Sequence, residues 1–221
     1  MSHDDHDHSH GHDHSHDEPH PYQPDIEDAP FTERMVMAQA VAELIVEKGI
    51  VSTDEMRAQI EFMDTREPAL GAKLVARTWL DPEFKARVLT DVKAASAELG
   101  IDIGDIPIQA IENTEDVHNV VVCTLCSCYP RMLIGLPPDW YKSRAYRSRT
   151  IKEPRKVLED FGTTIPDNVE VRVHDSTADL RYVVLPARPA GTDDWNEERL
   201  TDLVTRDSMI GVSLAKSPET A

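Results

Sequence analysis

Three cysteines are all that this 221-residue chain contains. That is too few for a disulfide framework, and the odd count leaves at least one thiol outside any intrachain bridge. No apolar run approaches the roughly 18 residues of a membrane span. The opening Met1-Ser2-His3-Asp4-Asp5 lacks the positive region and apolar stretch of a secretory signal. Together these absences predict a protein of the reducing cytoplasm with no membrane anchor. Positive charge is also scarce: the formal charge is −18, and residues 1–30 hold nine acids and no Lys or Arg, leaving −9 on the rest. Such a balance excludes a nonspecific nucleic-acid footprint and attachment to anionic lipid. No internal repeat is visible, and aromatics make up only 5% of the chain.

What is present is unevenly distributed. Eight of the ten histidines lie in the first 20 residues: His3, His6, His8, His10, His12, His14, His16 and His20. Alternating imidazole and carboxylate with almost no apolar content predicts a disordered tail that either solubilises the chain or gathers divalent ions. Pro19, Pro21, Pro24 and Pro30 extend it as a linker, so residues 1–30 form a tail. Over residues 31–100 the pattern is helical. Thr32 caps a helix to about Lys48, one of Ser52, Thr53 or Asp54 caps a second, and Pro68 opens a third. Asp81-Pro82-Glu83 starts a fourth, with Phe84, Val88, Val92 and Leu99 inward and Gly100 as its stop. This stretch reads as an arm around a partner or as a small helical domain.

Residues 101–221 change period. Val117–Val122, Val169–Val173 and Leu180–Leu185 read as strands, and helices follow Pro138, Pro154 and Asn196. The expected fold class is α+β: a helical N-terminal arm followed by a layered α-β-β-α domain.

All three thiols sit in one turn, Cys123-Thr124-Leu125-Cys126-Ser127-Cys128, after the apolar Val120-Val121-Val122. Clustering makes them a metal ligand set rather than inert small hydrophobes. A zinc site of three cysteines and one histidine would enlist His118. The tight Cys126-Ser127-Cys128 step permits another arrangement. If the amide nitrogens of Ser127 and Cys128 lose their protons, both can join the flanking thiolates on one strongly Lewis-acidic trivalent ion, cobalt or iron rather than zinc.

The segment Val122 to Pro130 resembles the metal-binding signature of nitrile hydratase alpha subunits. So do Trp79–Phe84, His118–Val120, Leu136–Lys142, Glu153–Leu158, Arg181–Pro186, Arg188–Thr192 and Thr205–Val212, and the likeness spans about residues 32 to 213. The resemblance implies one non-corrin Co(III) or Fe(III) ion held by Cys123, Cys126, Ser127 and Cys128. Cys126 would be oxidised to sulfinic and Cys128 to sulfenic acid, and Cys123 left a plain thiolate. Thr124, after the first cysteine, favours cobalt. The implied reaction is hydration of a small nitrile to its amide, with Cys126, Ser127 and Cys128 at the reacting centre. A separate beta subunit would supply arginines, and a small activator protein would load cobalt.

Support residues follow from the same comparison. Asp175, Ser176 and Arg181 are expected around the centre, with turn capping and ion pairing as the plain alternative. Trp140 and Tyr141 are pocket wall or packing, and Arg131 either fixes anionic sulfur oxygens or shapes the substrate entrance. Arg131 also raises the related thiocyanate hydrolase gamma subunit, which shares the signature followed by Tyr-Pro-Arg. A third reading is a non-catalytic metal-binding or delivery protein.

Overall fold

The computed structural model describes residues 32–219; the His/Asp tail and linker expected over residues 1–30 lie outside them. The described residues divide into two units, those up to Thr53 and those from Asp54 on. In the first, α1 (Glu33–Glu47) begins where the Thr32 side chain accepts a hydrogen bond from the Met35 amide, the expected N-cap. It buries no residue, and Met35, Val36, Met37, Val41 and Leu44 are exposed along it.

The helix α2 (Thr53–Asp64), all but its first residue in the second unit, buries nothing either. The helices α3 (Pro68–Leu80), α4 (Pro82–Thr90) and α5 (Val92–Glu98) are different: Leu74, Val75, Phe84, Val88, Val92 and Ala95 enter the core. The single fourth helix expected from sequence is in fact two. Asp91 leaves helical backbone (φ −151°) and its carboxylate accepts from the Ala94 amide, ending α4 and capping α5. The apolar stripe continues across the break, which is why periodicity alone reads through it.

Then come β1 (Ile108–Glu112), β2 (Val117–Val122), the short helices α6 (Arg131–Ile134), α7 (Asp139–Lys142), α8 (Arg144–Lys152) and α9 (Pro154–Asp160), then β3 (Glu170–Asp175), β4 (Arg181–Leu185), α10 (Glu197–Thr201) and α11 (Arg206–Ile210). The strands form two parallel pairs, β1 with β4 and β2 with β3. Val120–Val122 and Val183–Leu185 share one core with the helical side chains, each buried branched chain worth about 1.5–3 kcal/mol. This helical region followed by a mixed domain with two small parallel sheets is the layered arrangement expected. The register matters for the site: Val122 lies opposite Asp175, so the carboxylate of Asp175 stands where the cysteine turn begins.

A buried polar layer ties the two sheets. Asn113 Oδ1 accepts from the Asn119 amide and from Asn119 Nδ2, at 2.8 and 3.0 Å, which turns Asn113 Nδ2 toward His118 Nδ1 at 3.2 Å. His118 Nε2 lies 2.7 Å from the Gly211 carbonyl. A carbonyl only accepts, so Nε2 carries the proton and Nδ1 accepts from Asn113. Burial holds the His118 pKa below its ordinary value. His174 Nε2 donates to Asn119 Oδ1 at 2.8 Å. Gly211 closes the layer: at φ +89°, a Cβ there would stand 1.9 Å from the Asn119 carbonyl oxygen, so no other residue lets α11 approach β2 this closely.

Candidate metal centre

The strand β2 is buried through Val122 and delivers Cys123, 1% exposed, to the floor of the turn. The backbone then climbs to the surface, leaving Cys126 exposed and Cys128 half-buried. Sγ of Cys126 lies 3.4 Å from that of Cys123 and 3.3 Å from that of Cys128. All three sulfurs fall within 4.8 Å of one another and none is in a disulfide. The Cys126 amide also donates to Cys123 Sγ at 3.2 Å.

This crowding splits the acidities. Hydrogen bonds with the Cys128 and Cys123 sulfurs, helped by the amides of Ser127 and Cys128, pull the Cys126 thiol down to about 7. Burial, then the shared hydrogen bond with Cys126 and the neighbouring sulfur charge, pushes Cys128 up to about 12. A cation resolves the conflict by replacing the protons. Three soft sulfur donors with two amide nitrogens beside them fit a thiophilic ion.

The turn is held from several sides. Asp175 accepts from the Thr124 amide at Oδ1 (2.9 Å) and from the Thr124 hydroxyl at Oδ2 (2.6 Å). The Tyr141 hydroxyl donates to the Cys128 carbonyl at 2.8 Å, and burial raises the pKa of its phenol, so it stays a donor. Arg147 Nη1 reaches the Thr124 carbonyl at 3.3 Å. Ser176 is buried, its amide donating to the Val122 carbonyl at 2.7 Å.

Cys126, Ser127 and Cys128 form one wall of a 440 Å³ pocket. Ile103, Ile106, Ile108, Met132 and Leu136 make it apolar, and its charged residues are Arg131, Lys142 and Arg181.

With this geometry in place, the comparison with known proteins is decisive. The description "Nitrile hydratase, alpha chain" matches residues 32–213. The chain belongs to that family. It is similar to the low-molecular weight cobalt-containing nitrile hydratase subunit alpha of Rhodococcus rhodochrous, 51% identical over 185 residues, covering 83% of this chain and 89% of that protein. It is also similar to the thiocyanate hydrolase subunit gamma of Thiobacillus thioparus, 41% identical over 204 residues, covering 85% and 84%. Among solved structures, a recombinant thiocyanate hydrolase comprising partially modified cobalt centres superposes with a TM-score of 0.81 at 39% identity, covering 86% of this chain and 94% of that one.

Within the family's pattern the structure gathers Cys123, Thr124, Cys126, Ser127, Cys128 and Asp175 into one cluster and sets Arg131 and Arg181 on the pocket beside it. Trp140 is elsewhere: its ring packs against Phe161 and Tyr146, with centroids 4.6 and 4.9 Å away. Tyr141 shares that aromatic packing and reaches the centre with its hydroxyl. His118 is no fourth ligand, because both its ring nitrogens are engaged in the polar layer. The tail histidines lie outside the described residues. Sequence reasoning missed Arg147, which approaches the turn from α8, and Lys142 as a pocket residue. The signal for α8 was Ser143, whose hydroxyl caps it by accepting from the Tyr146 amide.

Proposed function

We propose that the chain is the alpha subunit of a heteromeric enzyme that hydrates a nitrile to its amide at one non-corrin Co(III) centre. The observation that carries this reading is the clustering of three unbridged thiols, two of which, Cys126 and Cys128, wall a pocket together with Ser127. Cys123, Cys126 and Cys128 hold the ion through sulfur, and Ser127 and Cys128 through backbone nitrogen. Thr124 and the cobalt-containing relative favour cobalt over Fe(III). When bound, the ion supplies Lewis acidity toward a nitrile nitrogen or a water.

The chain's own residues do the remaining work. Oxidation of Cys126 to sulfinate and of Cys128 to sulfenate, with dioxygen or peroxide as the oxidant that supplies the oxygens, lowers sulfur basicity and adds anionic oxygens. The Cys128 oxygen acts as nucleophile toward the nitrile carbon or as base toward water, and R–C≡N plus H2O becomes R–CO–NH2. Asp175 and Tyr141 brace the turn, fixing the backbone whose nitrogens serve as ligands. Ser176 backs the turn from inside, and Arg131 and Arg181 shape the entrance.

A beta subunit completes the site by bringing arginines to the sulfur oxygens. Leu125, 86% exposed, and Leu136, 60% exposed, offer apolar surface beside the turn and the pocket for it. In the division into tail (1–30), helical region (31–100) and catalytic domain (101–221), α1 and α2 embrace the partner, since neither buries a residue in this chain. A small activator protein loads the ion, because amide-bound trivalent cobalt hardly exchanges. The complex works in the cytoplasm; no helix among the described residues is long and apolar enough to cross a membrane.

The test is to co-express the chain with its beta subunit in cobalt medium and assay propionitrile for propionamide. Amide formation is expected, with loss in Cys128→Ala; a cobalt-loaded complex that hydrates no neutral nitrile contradicts the reading. Arg131 on the pocket favours a second reading, thiocyanate hydrolysis, in which one thiocyanate and two waters give carbonyl sulfide, ammonia and hydroxide. Carbonyl sulfide release distinguishes it.

A further inference from the structure

We propose that the outer face of α8 is a docking surface for an acidic segment of the beta subunit, seated beside the cysteine turn. This deepens the heteromeric reading above and rests on it. Residues 142–156 hold seven of the chain's 23 Lys and Arg residues and a single acid, Glu153. Four of the seven are engaged within the chain. Arg149 pairs with Glu153 and Asp160 at 2.7 and 2.6 Å, and Lys156 with Glu153 at 3.2 Å. Arg155 donates to the carbonyls of Ile165 and Val169, and Lys142 stands 3.7 Å from Asp139. The other three, Arg144, Arg147 and Lys152, line one groove of 580 Å³ with Thr124, Ser148 and Ile151.

Helical spacing explains the grouping. Positions 144, 147–148 and 151–152 recur on one side of α8, while Tyr146 and Thr150 are buried on the other. Arg144 and Arg147, one turn apart, repel each other, and no carboxylate lines the groove to offset them. The side chains of Arg144 and Lys152 form no hydrogen bond or ion pair among the described residues. Arg147 donates from Nη1 to the Thr124 carbonyl at 3.3 Å, and its Nε is buried without a partner among those residues. Three cations therefore stand without counter-charge in a molecule of formal charge −18. A segment carrying Asp or Glu matches them, because a guanidinium grips a carboxylate with two hydrogen bonds. Apolar surface sets the size of the occupant. Ile151 in the groove and Leu125, the residue after Thr124, are 50% and 86% exposed. A polypeptide covers such side chains, whereas a small free anion leaves them in water. The location also fits the beta subunit, since Thr124 belongs to the turn whose oxidised sulfurs its arginines must reach. Arg147 then links the contact to the centre through the Thr124 carbonyl it holds.

Carbodiimide coupling of the co-expressed, cobalt-loaded complex tests this, because the reagent joins an amine to a carboxylate in contact with it and adds no spacer. Peptide mass analysis should find Lys152 Nζ amide-linked to an Asp or Glu of the beta subunit. The Lys156–Glu153 pair, 3.2 Å apart, shows that the reagent acts. A link from Lys152 to an alpha-chain carboxylate instead, or a Lys152 left free in the intact complex, overturns the inference. Charge neutralisation gives a second readout. Arg144→Gln combined with Lys152→Gln removes no hydrogen bond or ion pair among the described residues, so the fold is kept. The dissociation constant of the complex should rise about tenfold at low salt. That effect should fade as salt is raised. An unchanged dissociation constant overturns the inference. Neither readout needs turnover. A complex that cross-links at Lys152 yet hydrates no nitrile refutes the catalytic reading alone, and an active complex in which Lys152 stays free refutes this one alone.

Discussion

Asp175 stands at the end of β3 and takes two hydrogen bonds from Thr124, one from the amide and one from the hydroxyl. Its role is one of position: it fixes the first residue after Cys123, and so the path of the backbone that carries the other ligands. Sequence placed Asp175 and Ser176 at a strand end near the centre, but which residue Asp175 grips depends on strand register, and that was not legible. Arg147 was not legible either, because an arginine reads as solvated until its helix is seen to face the turn. Asp175→Asn keeps the shape and loses the charge, so cobalt retention against a chelator should fall about 10- to 100-fold. Retention equal to the parent would show that the turn holds its path without this carboxylate.

The elements that could be read were those with strong periodicity or caps: β2, β3 and β4, and the helices opened by Thr32, Pro68, Pro154 and Asn196. β1 was missed because Gln109, Ala110 and Glu112 leave its five residues without the run of β-branched and aromatic side chains that marks the equally short β4. α8 was missed because, with only Tyr146 and Thr150 buried, it shows no apolar stripe. The polar layer between the sheets could not be foreseen from sequence, since it joins β1, β2, β3 and the end of α11. It gives the fold a pH dependence whose sign is fixed. His118 and His174 both have folded pKa values lowered chiefly by burial. The unfolded chain therefore binds their protons more readily. Their contribution is full above about pH 6.5 and is lost as pH falls toward the folded values, at no more than about 1.4 kcal/mol per pH unit each. Asp207, on α11, works the other way: burial raises its pKa, so acid relieves its cost. His118→Gln should flatten the fall in urea-unfolding free energy between about pH 6.5 and 5 while lowering stability at neutral pH. An unchanged slope would show that His118 does not titrate on unfolding.

Across the whole molecule, charge and exposure divide the labour. The core of residues 54–221 holds the sulfur cluster, α1 presents uncovered apolar side chains, and the first 20 residues concentrate imidazole and carboxylate. The composition of residues 1–20 was plain from sequence, and we propose that their imidazoles gather divalent cobalt or nickel at modest affinity. Deleting residues 1–20 from the complex should lower the number of weakly held divalent cobalt ions in equilibrium dialysis and leave the tightly held cobalt in place. The same number of weak ions in both forms would assign the tail a solubilising role instead.

The central claim is that the cysteine turn is a trivalent, amide-ligated and oxidised cobalt centre rather than a thiol cluster suited to zinc. Metal analysis combined with intact mass on the co-expressed complex tests it most directly. The account predicts one cobalt per alpha chain and about three added oxygens, two on Cys126 and one on Cys128. Zinc bound by three unmodified thiols would contradict it.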